Sequence, residues 1–445
     1  MKTRSIGFDF GTTNSSLALY DDAAQSLRIA RFRSSGESTT AAYRSVLYFE
    51  PPAKGPPGKK QAHAFAGPLA IEQYLESENK GRLIQSIKSF ATSRVFSATN
   101  VFGRMYSFED LVALIVKRLL EEAEEQFGPI RGLPVTVGRP VRFAGANSEA
   151  DETFAIDRIR KAFGIAGLEN VRFEYEPVGA AYHYASRLTD HSELVLIGDF
   201  GGGTSDFSLL QIDAKQKRIL GNEGVGLAGD SFDASIIRHL VSPRLGEGTE
   251  YRSMDKLLPV PTWVYAKLER WHHLSFLKAS DTLQMLTSVK TMAIESERIA
   301  ALIFLIENDL GYHLHKAVQE TKINLSRETQ STFRFVDGDV DIVEKVKRRL
   351  FEQWIAAHLR AITASVDRLL TSAGVNASEV DRVFLTGGSS FVPAVRAIFA
   401  SKFGESKLAD GDEFTSVASG LALRGADPNP SAAAAPLAFV DANEA

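Results

Sequence analysis

Residues 197–210 read IGDFGGGTSDFSLL, and residues 6–19 read IGFDFGTTNSSLAL. In each, an apolar run reaches Asp-Phe-Gly, passes through a turn of small residues and re-enters an alternating run. That pattern predicts a strand, a tight turn and a return strand. Turns rich in Gly, Thr and Ser expose backbone N–H groups with no side chain in the way, and such concavities bind anions. Gly201, Gly202 and Gly203 permit close backbone approach, while Thr12, Thr13 and Thr204 add hydroxyl donors. Asp9 and Asp199 stand one or two residues ahead of the turns. A carboxylate beside a phosphate repels it unless a cation intervenes. Mg²⁺ suits that place, because it keeps several waters and needs few carboxylates. Asp206, just past the second turn, is placed to order those waters. One copy alone reads as well as a plain hairpin. Two matched copies favour two lobes, each offering a loop to one phosphate chain.

The rest of the chain narrows the possibilities. Its 445 residues are enough for two lobes. With 44% hydrophobic and 24% charged residues it has the balance of a globular protein. A net charge of −4 gives no general basic face for nucleic acid. The absence of cysteine excludes disulfides, Cys-zinc sites and a cysteine nucleophile. MKTRSIGFDF enters a strand at once, without a signal-peptide core, and Ala300–Ile306 is too short to span a bilayer. A cytoplasmic protein with no membrane contact is expected.

Strands are expected at 4–10, 15–20, 27–33 and 44–49, with PPAKGPPGKK at 51–60 as an exposed turn. Ser107 caps a helix to Phe127, with Asp110 at the capping-box spacing. LPVTV at 133–137 reads as a strand, Glu149–Phe163 as a helix, and VRFEYEP at 171–177 as a strand breaking at Pro177 into PVGAAYHYAS. Residues 230–326 read as mostly helical, and Val340–Ala373 as one long amphipathic helix. RVFLTGGSSFVPAVRAIF at 382–399 reads as strand, turn and helix. The order is that of a mixed α/β architecture.

Other motifs carry less. Gly224–Gly229 fits G-x-G-x-x-G after a strand-like KRIL, but no second β-run with an acidic end follows, so it reads as a flexible turn. No P-loop and no G-x-S-x-G elbow occurs. His272 and His273 are adjacent on a helix and point about 100° apart, so a shared metal is disfavoured. His183 reads as packing. Trp263, Tyr265, Leu268, Trp271 and Phe276 read as the apolar face of a helix, and EEAEE at 121–125 as a solvated face.

FDFGTTNSS at 8–16, EPVGAAYHYA at 176–185, IGDFGGGTSDFSLL at 197–210, GLAGDSFD at 226–233 and LTGGSSFVP at 385–393 together resemble a known family. Their order and spacing are similar to the nucleotide-binding domain of the seventy-kilodalton heat-shock (DnaK-type) chaperones. SIKSF at 86–90 and LPVPTWVYAKLERWHHLSFLK are most like the YegD-like subgroup. The resemblance implies the two-lobed actin-like ATPase fold, with duplicated ribonuclease H-like domains and an ATP cleft between them. It implies lobe I at 1–190 with an insert near 38–106 and lobe II at 191–426 with a helical insert near 223–316, while the Pro/Ala-rich composition of 427–445 reads as a disordered tail. It also implies ATP or ADP with Mg²⁺, slow hydrolysis, a monomer, and an unknown protein partner or client.

Site residues follow position by position. Asp9, Gly11, Thr12 and Thr13 match the first phosphate loop, with Asn14 in that loop where an aromatic would stand, and Gly201, Gly202, Gly203 and Thr204 match the second. Asp9, Asp199 and Asp206 match the acids around hydrated Mg²⁺. Glu176 matches the carboxylate near the attacking water, and Thr204 also belongs to the catalytic set. Lys88 matches the lysine that meets the terminal phosphate; without the family it reads as a surface charge. Gly229 and Asp230 match the loop that crosses the phosphates. Gly387, Gly388 and Ser389 match the adenosine turn, and Lys322 and Ser326 the nucleoside contacts. Ile323 and Phe391 stand where two arginines would sandwich adenine, and Gln319 where a glutamate would stand. An apolar sandwich still stacks a purine, but it leaves the base less defined. No counterpart of the peptide-binding domain is expected, so peptide capture is not implied; PLAFVD at 436–441 only faintly matches the interdomain linker. A sugar-type kinase of the same superfamily and an actin-like filament protein are the competing readings.

Overall fold

The computed structural model describes residues 4–33, 38–52, 62–77, 81–187, 192–212, 217–270, 277–278, 280–410 and 415–427. Most of the Pro/Gly/Lys turn, Trp271, His272, His273, Phe276 and the tail from residue 428 lie outside them. The chain forms two compact units. The first comprises residues 1–228, 361–390 and 395–445, and the second residues 229–360 and 391–394.

The first unit holds two sheets of the same topology. In one, β1 (Arg4–Phe10), β2 (Asn14–Asp21) and β3 (Ser26–Ile29) form an antiparallel meander. β4 (Val135–Arg139) joins β1 in parallel, and β5 (Val171–Tyr175) joins β4 in parallel, giving the order β5-β4-β1-β2-β3. The other repeats this order with β6 (Glu193–Phe200), β7 (Ser205–Ile212), β8 (Lys217–Val225), β9 (Arg382–Thr386) and β10 (Leu408–Asp410). Again the first three strands are antiparallel, and the last two are added in parallel. The sequence duplication is thus a duplication of whole sheets.

The helices pack where their apolar periodicity sends them. α1 (Phe108–Phe127) opens with the expected capping box: the Asp110 amide donates to Ser107 Oγ at 3.1 Å, and the Ser107 amide to Asp110 Oδ2 at 2.9 Å. Its Leu111, Val112, Ile115 and Leu119 are buried with Phe163 of α2 (Glu149–Ile165) and with Ile6, Phe8 and Val135 in the first sheet's core. α3 (Glu176–Ala185) follows β5, and α4 (Ser416–Ala426) follows β10. Each packs on the sheet of the other half: α4 lies on β1, β2 and β4, and α3 on β6 and β7. The two helices touch each other at glycines. A Cβ on Gly420 would stand 1.6 Å from the Gly179 carbonyl oxygen, so the backbones meet with nothing between them.

In the second unit, hairpins interrupt the helices. Glu250–Ser253 pairs with Lys256–Pro259, and Gln330–Asp337 with Val340–Lys347. The single helix expected over Val340–Ala373 is therefore incorrect. Its first eight residues are a strand, followed by helices Arg348–Trp354 and Ala356–Ala373. Val340, Ile342 and Val346 alternate into the core, a period of two. Trp263 also departs from its expected buried face: it is 41% exposed, while Tyr265 and Leu268 are fully buried. Among the described residues no helix is long and apolar enough to cross a membrane.

Candidate functional site

Both Asp-Phe-Gly turns are hairpin ends of the same length. The last pair of the first hairpin is Phe10 with Ser15, leaving residues 11–14 as its loop; that of the second is Phe200 with Ser205, leaving 201–204. The loops lie together, since a Cβ on Gly203 would stand 3.5 Å from Thr12 Oγ1. The equal loops sit on unequal hairpins. Asp9 faces Ser16 across its ladder, whereas Asp199 faces Asp206.

Around these ends lie four carboxylates and one lysine. Lys88 Nζ donates to Glu176 Oε1 at 2.7 Å, with Lys88 8% and Glu176 7% exposed. The surface-charge reading of Lys88 is thereby overturned. Glu176 is the first residue of α3, and Pro177 behind it gives up no amide that the helix needs. Lys88 sits in a single 3-10 turn, Ile87–Phe90, entered through Ser86 at a left-handed φ of 52°. Such backbone strain in a non-glycine residue is typical of functional sites.

One lysine does not balance this cluster. Burial, then the charge of Glu176, pushes Asp9 up to about 7, with Lys88 pulling the other way. Burial and Glu176 push Asp206 up to about 8. Asp199 lies well above the ordinary carboxylate range, through burial first and then Glu176, Asp9 and Asp206. Asp206 Oδ1 accepts from the Val141 amide at 2.7 Å and the Arg142 amide at 3.3 Å. Among the described residues its Oδ2 is buried with no hydrogen-bond partner of good geometry, and the Thr204 hydroxyl beside the carboxyl group acts against its upward shift. Among the described residues no three such groups converge closely enough to ligate a metal directly. An orphaned carboxylate oxygen and excess negative charge are nevertheless what a hydrated cation would relieve.

The Gly-rich stretch after β7 has a role in this cluster. Gly224 faces Asp206 across the β7–β8 ladder, and a Cβ there would stand 2.7 Å from Asp206 Oδ1 and 3.2 Å from the Arg142 amide. The fingerprint pattern is a strand end followed by helix Gly229–Ile236, and its glycine makes room for a carboxylate. Gly224→Ala is expected to cost about 1–3 kcal/mol, because Asp206 cannot yield without losing its two amides. Denaturant midpoints measure this, and an unchanged midpoint contradicts it.

The Gly-Gly-Ser-Ser turn lies against the second loop. Gly387, at φ 83°, packs on Phe200, where a Cβ would stand 2.1 Å from the carbonyl oxygen. Ser389 Oγ donates to the Gly201 carbonyl at 3.3 Å, and Gly388 opens the 3-10 turn to Phe391. In the second unit, Lys322 Nζ is paired with Asp233 Oδ1 at 2.8 Å and donates to the Gly229 carbonyl at 3.3 Å. Ser326 Oγ donates to the Lys322 carbonyl at 3.0 Å, and Asp230 lies in the first turn of helix Gly229–Ile236. Ile323 is 48% and Phe391 52% exposed.

The family model described as Hsp70 protein matches residues 65–252 and 306–444, most of the chain. The chain belongs to the Hsp70 family. Hsp70 proteins share the two-lobed actin-like ATPase fold, bind ATP or ADP with Mg²⁺ and act on client proteins. The match supports an ATP-binding, chaperone-type function. It covers Lys88, Glu176 and the second loop, while the first loop lies before it and is tied to the second by topology.

Sequence reasoning missed several groups. The Val141 and Arg142 amides hold Asp206 across 65 and 64 positions of sequence, a contact with no local signal. Arg44 pairs across the ladder with Asn14 and donates to its Oδ1 at 3.4 Å, which brings a cation beside the first loop.

Proposed function

We propose that this protein is an Mg²⁺-dependent ATP-binding switch of the chaperone type with slow hydrolysis. The observation that carries the reading is the adjacency of two equal hairpin loops above an under-neutralised carboxylate cluster. Gly11–Asn14 and Gly201–Thr204 are the phosphate cradle, acting mainly through backbone amides. Asp9, Asp199 and Asp206 would hold a hydrated Mg²⁺, which would supply charge neutralisation at the phosphates. Lys88 neutralises the terminal phosphate, and Glu176 and Thr204 orient the attacking water. Phosphoryl transfer depends on this positioning and charge more than on covalent chemistry.

Gly387, Gly388 and Ser389 are assigned to the adenosine. Gly229 and Asp230 are assigned to the loop that crosses the phosphates, and Lys322, Ile323, Ser326 and Phe391 to the nucleoside. The half-exposed Ile323 and Phe391 offer apolar surface suited to stacking a purine. The output is a nucleotide-dependent surface read by a protein partner, in a cytoplasmic monomer of the YegD-like kind.

Calorimetry with ATP in the presence of Mg²⁺ or EDTA tests the reading. Binding is expected to weaken at least about tenfold without the metal, and turnover with it to stay below about 1 s⁻¹. Metal-independent binding overturns the site. Turnover that rises steeply with an added sugar supports the kinase reading instead.

A further inference from the structure

The segment carrying Lys88 has no ladder of its own. After the turn Ile87–Phe90, the backbone–backbone hydrogen bonds of 91–97 are local among the described residues, such as Ser93 to the Phe90 carbonyl and Ser97 to that of Val95, and Thr92 Oγ1 donates to the Ala144 carbonyl at 3.0 Å. A side chain from α2 spans them. Arg158 is 6% exposed, and its Nη1 donates to the carbonyls of Phe90 at 3.2 Å, Ser93 at 3.1 Å and, more weakly, Ala91 at 3.5 Å. Its Nη2 donates to Phe96 O at 2.9 Å, and its Nε to Glu109 Oε1 at 3.1 Å. The guanidinium lies 4.2 Å from the Phe108 ring centroid and 5.2 Å from that of Phe154.

This clamp reaches Lys88 through one residue. The Ala91 amide donates to the Lys88 carbonyl at 3.0 Å, closing the turn, and the Ala91 carbonyl is one of those facing Arg158. We infer that Arg158 is the positioning residue for Lys88, fixing the turn from which its ammonium reaches Glu176 and the terminal phosphate of a bound nucleotide. The inference rests on the phosphate role proposed for Lys88. The planar fork of an arginine can bridge a row of carbonyls while a carboxylate holds its Nε. A lysine has three donors at one point and cannot.

A structural clamp alone would lower stability and leave nucleotide preference untouched. A clamp on Lys88 changes the preference for ATP over ADP, because only ATP carries the phosphate that Lys88 meets. The experiment measures dissociation constants of Mg·ATP and Mg·ADP for the wild type, Lys88→Ala, Arg158→Lys and the double variant. Arg158→Lys is expected to weaken ATP binding about tenfold, in line with the cost of small misplacements, and to leave ADP binding within about twofold. The double variant is expected to be no worse than Lys88→Ala, since residues acting through one another are non-additive. ADP binding doubles as the check on folding. If Arg158→Lys does not fold, Glu109→Ala decides: it leaves the arginine but frees its Nε, and a smaller loss specific to ATP is expected. An unchanged preference in the folded variant, or additive losses in the double, overturns the inference alone. An unchanged preference in Lys88→Ala overturns the phosphate role of Lys88 and the inference with it.

Discussion

Asp199→Asn is expected to raise the melting temperature of the nucleotide-free protein by a few degrees and to cut Mg²⁺-dependent turnover about 100-fold or more. Both effects have one cause. Asp199 is buried between Asp9, Glu176 and Asp206, with Lys88 the cation that acts against its upward shift. Removing its charge relieves repulsion within the cluster and removes a carboxylate assigned to the proposed Mg²⁺ site. The same crowding fixes a pH dependence. Asp9 titrates at about 7 and Asp206 at about 8 in the folded protein, whereas an unfolded chain releases such protons near about 4. Between about pH 4 and 8 the fold therefore holds more protons than the unfolded chain, and stability falls as pH rises. Melts in EDTA at about pH 5.5 and about pH 8 are expected to show this fall, shallower in the variant. A variant that melts below its parent, or that still turns over ATP with Mg²⁺, contradicts the assignment.

Gly420→Ala is expected to destabilise the protein by about 3 kcal/mol or more, at the upper end for overpacked cores. The added carbon would stand 1.6 Å from the Gly179 carbonyl oxygen, 2.5 Å from its carbon and 2.8 Å from the His183 amide. All are backbone atoms, so no side chain can turn aside. α3 and α4 must separate, and α3 begins at Glu176, so the Lys88–Glu176 contact is expected to suffer with stability. Urea unfolding gives the first effect and ATP affinity the second. An unchanged urea midpoint for Gly420→Ala contradicts the direct backbone contact between α3 and α4.

The residues that decide the fold are local, and so they are legible. The repeated Asp-Phe-Gly turns, the Ser107 capping box and the Pro177 helix start each announce themselves within a few positions. The hairpin at 330–347 was also signalled: Gly338-Asp339 is a two-residue turn between alternating runs, with Gly338 at φ 51°. The helical period of 348–373 hid it by extending plausibly backward. What no local pattern carries is distance across the chain. Gly420 against Gly179, the amides on Asp206 and the reach of Arg158 depend on packing between elements far apart in sequence. For Lys88, the motif SIKSF suggested a role, and only folding gives the partner Glu176.

The equal length of the two hairpin loops has a consequence for insertions and deletions. Side chains alternate along β7, so one residue added between Gly201 and Thr204 inverts every facing that follows. Where the strand slips to keep the loop at four residues, Asp206 moves to the place Phe207 holds in the core, and Ser205 takes its place opposite Gly224. The loop is therefore under a parity rule. Changes of two residues keep the acid on its own face of the sheet, and single ones turn it to the other without altering any side chain named in the site.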